Sequence, residues 1–232
     1  MTRILNTHFK TWWTLMLRPI YFYARLKEED WKGAGLTFLL INSWLLALIA
    51  ALVIFVIQYI PIGSTLVAEV AGAKFIIVLP VLLALAFVFF LITFLILGGT
   101  FVVGFFAAFY VLGWLMHLVY TYLFGKKGSL NQMIQGSFYS SGVILSGGLI
   151  FGLMILTKYA GLSFELFRYG YNSIYFFTCL YAYGLWAVAG RKTYQAAKWQ
   201  AFAGALVPLA ALLIFGVLFD KMALSKLAPW IM

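Results

Sequence analysis

Apolar residues in this chain gather into long runs, and charged residues gather in the gaps between them. Five runs stand out, at 35–60, 75–124, 133–157, 171–190 and 201–219, and none contains Asp, Glu, Lys or Arg. A helix crossing a hydrocarbon core of about 30 Å needs about 20 apolar residues, so the pattern predicts an all-α integral membrane protein, a polytopic helical bundle. The second run is too long for one crossing, since at about 1.5 Å per residue it would extend about 75 Å. Pro80 and Gly98-Gly99-Thr100 interrupt it. Two spans joined at the glycines, or one span preceded by a re-entrant or outer-leaflet helix, both satisfy the pattern. Pro61-Ile62-Gly63-Ser64 is expected to end the first run, and residues 65–74, with Glu69 and Lys74, to form a short polar connection.

Upstream of the runs, residues 3–18 alternate with helical spacing. Arg3, Thr7, Lys10, Thr14 and Arg18 share one face, Leu5, Phe9, Trp12 and Met16 another, and Pro19 closes the pattern. A basic face opposite Trp and Phe fits an amphipathic helix lying in the membrane interface. Packing on the chain's own helix ends is the alternative. The most charged stretch, 25–32, comes next and requires solvent. The organisation expected is an N-terminal segment (1–33), a transmembrane helical domain (34–220) and a short tail (221–232).

Charge sets the orientation. With five crossings, 11 Lys and Arg fall on the side of the N-terminus and 5 on the other; with six crossings the split is 10 to 6. The positive-inside rule therefore favours five spans with the N-terminus cytoplasmic, and six stay open because 75–97 alone is long enough to cross. The net charge of +10 is explained by these loops and does not point to nucleic acid. Mean hydropathy is +1.03. Cys179 is the sole cysteine, which excludes an intrachain disulfide. Lys10 and Arg18 break the apolar character that a signal peptide would need.

Three segments carry a resemblance. Leu17-Arg18-Pro19-Ile20-Tyr21-Phe22 precedes an acidic, Trp-containing stretch and the first span. Residues 117–140 run through Gly125-Lys126-Lys127-Gly128 and Gly136-Ser137-Phe138 to Tyr139-Ser140. Residues 184–198 end a span with Gly190-Arg191-Lys192-Thr193-Tyr194. Together they resemble bacterial members of the Yip-domain family, in which a span ends in a Gly-Gly or Gly-Lys turn and a Gly-Ser-Phe-x-Gln stretch leads to the next. The resemblance implies five spans, a cytoplasmic N-terminus and residence in the bacterial inner membrane. The Asp-Leu-Tyr-Gly-Pro motif of the eukaryotic relatives is absent, so their GTPase binding is not carried over. The 75–124 run is also longer than that family's usual second span.

Candidate chemistry at membrane depth is sparse. His117 is the only ionisable side chain inside an apolar run, and it lacks the carboxylate or second axial ligand that a proton relay or haem site wants. Ser137, Ser141, Gly148 and Gly152 recur at steps that predict a smooth stripe, for helix packing or as a groove. Gly98, Gly99 and Gly104 are expected to mark a tight turn or kink, rather than a transporter-type break facing a cavity, for which a matching internal repeat is lacking. Asn42 is expected to bond between helices, and Trp44, Trp114, Trp186 and Trp199 to form interfacial belts with the Phe and Tyr residues. Arg18, Arg25, Lys27, Lys126, Lys127, Arg191, Lys192 and Lys198 form a basic set suited to anionic lipid headgroups.

Lys126-Lys127-Gly128-Ser129 lacks the order of a phosphate-binding loop, and no paired carboxylate, metal-spaced His/Cys cluster or Gly-x-Ser-x-Gly occurs. No catalytic residue, cofactor or metal is therefore expected. The expected role is non-enzymatic: a Yip-type membrane-organising or partner-binding component, with membrane lipids and an integral membrane protein or a second copy as partners. A small transporter, channel or lipid-moving protein, and an accessory subunit of a larger complex such as a respiratory one, are the alternatives.

Overall fold

A computed structural model describes residues 2–69 and 73–231, with side chains given at 6–65, 77–229 and 231. Every regular element among the described residues is helical. Two short helices, α1 (Thr2–Leu17) and α2 (Pro19–Arg25), precede α3 (Ala34–Ile54). A π-turn, Phe55–Tyr59, links α3 to α4 (Ile60–Glu69). Then come α5 (Ala73–Leu118) with a second π-turn (Val119–Leu123), α6 (Leu130–Ser140), a 3-10 segment (Ser141–Ser146), α7 (Gly147–Tyr159), α8 (Phe164–Tyr194) and α9 (Lys198–Met222). A 3-10 turn (Leu224–Leu227) and α10 (Ala228–Ile231) close the chain.

Five stretches are long and apolar enough to cross a membrane: Ala34–Thr65, Ile77–Leu123, Leu130–Tyr159, Phe164–Tyr194 and Lys198–Met222. The protein is a five-helix polytopic bundle. The long second run resolves in neither of the two ways expected from sequence, because α5 passes through Pro80 and Gly98-Gly99 as one helix of 46 residues. Gly98 is covered by the Trp44 indole rather than by a turn. Pro61 does not stop the first span either. The π-turn before it shifts the register, with the Ile60 amide donating to Phe55, so the proline lies in the first turn of α4 where its missing N–H costs little. Most of the expected polar connection is helix; residues 70–72 lie outside the described residues.

The larger core is centred on Trp186, Tyr120, Tyr23 and Phe138. Trp186 is fully buried and donates to Ser140 Oγ at 2.7 Å, so it belongs to the core and not to the expected interfacial belt. A smaller cluster at the opposite end tucks Leu224 and Ile231 against Phe167, so the tail folds back onto the bundle. Beside it Arg168 and Asp220 pair at 2.7 Å.

α1 packs on the bundle, and its buried face is not the one the spacing predicts. His8 and Leu15 turn inward with Trp12, whose indole donates to the Gly142 carbonyl at 3.0 Å, while Phe9, Trp13 and Leu17 stay outside. Because α1 carries aromatics on both sides, an apolar face remains outward beside the basic Lys10 and Arg18.

Candidate functional site

The end of the bundle that holds the loops 26–33, 124–129 and 195–197 is the most elaborated part of the molecule. Its basis is a pair of carboxamides one helical turn apart on α6. Asn131 accepts the Trp31 amide at 3.1 Å and donates to the Glu29 carbonyl at 2.7 Å. Gln135 accepts the Glu29 amide at 3.4 Å and donates to the Lys27 carbonyl at 3.3 Å. Backbone groups of residues 27, 29 and 31, in a loop that turns at 31–33, thus find their partners on two side chains. Ser129, the N-cap of α6, reaches Glu28 from the same side. The charged segment is therefore solvated along its side chains and fixed along its backbone.

A second device joins the same end. Tyr120 and Tyr194 stack with centroids 4.7 Å apart, and Tyr120 donates to the Ala201 carbonyl at 2.8 Å. The Tyr120 ring lies in a slot between Gly190 and Gly204, where a Cβ at either position would meet it within 2.7 Å. His117 closes the group, its Nδ1 lying 2.6 Å from the Tyr194 hydroxyl. The histidine of the second apolar run thus has a structural partner.

Between α2, the end of α8 and the start of α9 lies a cavity of about 550 Å³. Its floor is apolar and buried, formed by Tyr23, Ala187 and Ala201, each at most 2% exposed. Arg191, Lys192 and Lys198 line it and stand at its more open rim. Gln195, at φ 48°, holds the only left-handed non-glycine backbone among the described residues, and that turn brings Lys192 and Lys198 round the same opening. The structure thus gathers three of the eight expected basic residues. Arg18 stands at the α1–α2 junction, Arg25 lies 4.0 Å over the Tyr21 ring, and Lys27, Lys126 and Lys127 belong to the two neighbouring loops.

The small-residue stripe does not stay on one face. Ser137 donates to the Phe109 carbonyl of α5 at 2.7 Å, whereas Ser141 accepts from Asn42 of α3 at 3.2 Å. Gly148 also faces α3, with Ile49 3.2 Å from where a Cβ would stand, and Gly152 faces open space. The cause is the 3-10 segment Ser141–Ser146, which winds at about three residues per turn and so rotates α7 away from the phase set by α6. Three of the four residues serve helix contacts.

His8 is a further buried polar residue. It is 4% exposed, its ring 4.7 Å from that of Phe38, and neither ring nitrogen has a hydrogen-bond partner. Burial holds its pKa below the ordinary 6.5, with the nearby Asn42 amide opposing part of the effect. Among the described residues no three His, Cys, Asp or Glu come together in a way that would hold a metal ion.

No family model matches the chain, and comparison with curated proteins and with solved structures likewise gives no match.

Proposed function

We propose that this protein is a non-enzymatic, partner-binding component of a membrane assembly, of the Yip type to which three of its segments are similar. The observation that carries the reading is the apolar arm made by α4 and the first half of α5. From 60 to 65 and from 77 to 97 no residue is buried, and Ile77, Leu83 and Phe87 are 77%, 62% and 63% exposed. The Tyr159 hydroxyl meets the Val56 carbonyl at 2.6 Å, so the end of α7 lies beside Val56, and residues 57–69 add about 20 Å of helix after that level.

Length argues that lipid tails do not cover all of this surface. The second span has 47 residues and extends about 70 Å. Tilted by about 40°, the upper end of the usual range, it still covers about 54 Å along the membrane normal, against a hydrocarbon thickness of about 30 Å. Roughly 24 Å of apolar helix therefore needs other cover, and a large exposed apolar surface outside the hydrocarbon marks a protein contact. An integral membrane protein or a second copy of this chain fits that requirement. With the basic end of the bundle cytoplasmic, as the positive-inside rule favours, the arm stands on the opposite side of the bacterial inner membrane.

The test is the mass of the intact particle extracted in mild detergent, with identification of the molecules that travel with it. A particle heavier than one chain is expected, and Leu83→Glu with Phe87→Glu, one turn apart on the arm, should release the bare chain. A bare monomer from the wild type, or a heavy particle indifferent to the double substitution, overturns the reading.

A further inference from the structure

We infer that the cavity between α2, α8 and α9 is a built site for one anionic phospholipid, with the phosphate held by Arg191, Lys192 and Lys198 and an acyl chain laid along the apolar floor. This site depends on neither the arm nor its partner.

Three observations converge on an anionic amphiphile. The first is the division of the lining, in which Tyr23, Ala187 and Ala201 are buried beneath three cations at the rim. A soluble anion has no use for that floor, and a neutral lipid none for that rim. The second is charge: no Asp or Glu lines the cavity, and none of the three cations has a carboxylate partner among the described residues. Their positive charge is therefore unneutralised by the protein and concentrated on one opening. The third is access. Ile20 and Phe202 flank the cavity and remain 72% and 48% exposed, on helices at the end of the bundle where α8 stops and the loops begin. That is the depth at which a phosphate and the upper part of an acyl chain sit side by side. The hydroxyl of Tyr23 is already committed to the Gly136 carbonyl at 3.0 Å, which leaves its ring as an apolar wall.

The geometry separates this site from the basic surface in general. Lys126 and Lys127 lie in a neighbouring loop of the same end but do not line the cavity. They attract anionic lipid only as a diffuse field, whereas the cavity also recognises the chain.

The experiment is native mass spectrometry of the purified full chain, titrated with phosphatidylglycerol and with phosphatidylcholine of the same acyl chains. One phosphatidylglycerol per chain should be retained at least about 10-fold more tightly than phosphatidylcholine. Arg191→Gln with Lys198→Gln should weaken it about 25-fold, the product of about 5-fold for each cation near an anionic headgroup. Lys126→Gln with Lys127→Gln should change it less than about 3-fold. Ala24→Trp, at an exposed position lining the cavity, should also abolish retention while every cation remains. Equal loss from the two charge pairs, retention in Ala24→Trp, or equal retention of phosphatidylcholine would overturn the site as a lipid cavity. Displacement of the lipid by equimolar inorganic phosphate would overturn it in favour of a free anion. The particle mass used to test the arm is a separate readout, so either proposal can fail alone.

Discussion

Gly190 and Gly98 offer a comparison that separates rigid from yielding packing in the same molecule. A Cβ at Gly190 would lie 2.5 Å from Tyr120 Cζ with the hydroxyl oxygen closer still, and one at Gly98 would overlap more deeply, 2.5 Å from Trp44 Cη2 with Cζ3 closer still. Carbon atoms prefer about 3.5–4.0 Å, so each ring must move by about 1 Å or more. The two differ in where the ring can go. Tyr120 is fully buried, held on its other side by Gly204, stacked on Tyr194 and bonded to the Ala201 carbonyl. Trp44 is 37% exposed and can swing outward, giving up its contact with Phe94. Overpacking a closed site costs about 1–3 kcal/mol and a broken hydrogen bond about 1 more, against a helix-propensity gain of about 0.5–1 for replacing glycine. Gly190→Ala should therefore destabilise by about 2 kcal/mol, and Gly98→Ala by less than about 0.5.

Cys179 supplies the assay. It is the sole cysteine and is 2% exposed, so a fluorogenic maleimide reports unfolding in detergent without further labelling. A loss of about 2 kcal/mol corresponds to a midpoint about 4–8 °C lower for a chain of this size. In a Tyr120→Leu background, which removes the obstructing ring atoms, Gly190→Ala should be neutral or stabilising. Equal shifts for the two alanine variants, or an undiminished cost of Gly190→Ala beside Leu at position 120, would refute the slot.

Gln135→Leu should strip the Glu29 amide and Lys27 carbonyl of their partners, raising hydrogen exchange across 27–31 about 10-fold; unchanged protection would mean that the amide pair holds nothing. For His8, the pKa lowered by burial means that the unfolded chain takes up the proton first, so stability is complete above about pH 6.5 and is lost as pH falls through and below it. Tryptophan-fluorescence melting should accordingly show a lower midpoint near about pH 5 than near about pH 7.5, and His8→Phe should flatten that difference; an unaltered pH dependence in His8→Phe would assign it elsewhere.

The five crossings were legible because apolar run length and loop charge are both local properties of the sequence. The continuous α5 was not, because glycine and proline announce a break only on average. Flanking apolar residues and the Trp44 cover decide whether the break occurs, and Trp44 lies far away in sequence. The stripe from Ser137 to Gly152 misled for a related reason: its phase assumes about 3.6 residues per turn throughout, and the 3-10 segment at Ser141–Ser146 breaks that assumption within it. Asn131 and Gln135 did carry a signal, being two carboxamides at i and i+4 at the opening of an apolar run. Gly128, Gly190 and Gly204 looked like generic small residues, and only the placement of Tyr120 and Tyr194 shows the ring that each accommodates.

The two ends of the protein are built to different standards, and the difference bears on how it would work. At the basic end the backbone of 27–31 is paired to side chains, two tyrosines are locked between helices, and three cations rim a preformed cavity. Order of that kind suits a site that must present fixed geometry to a small ligand, since little is lost in freezing it on binding. The arm has the opposite character, with a broad apolar surface, few buried residues and few polar groups to set a register. Such a surface gains its geometry from the partner it packs against. A lipid bound at the basic end would restrain α2, α8 and α9 but makes no contact with α4 or the first half of α5, so lipid occupancy and arm docking should be energetically independent. A change in partner affinity on removing Arg191 and Lys198 would show instead that α5, which touches both regions, passes strain from one end to the other.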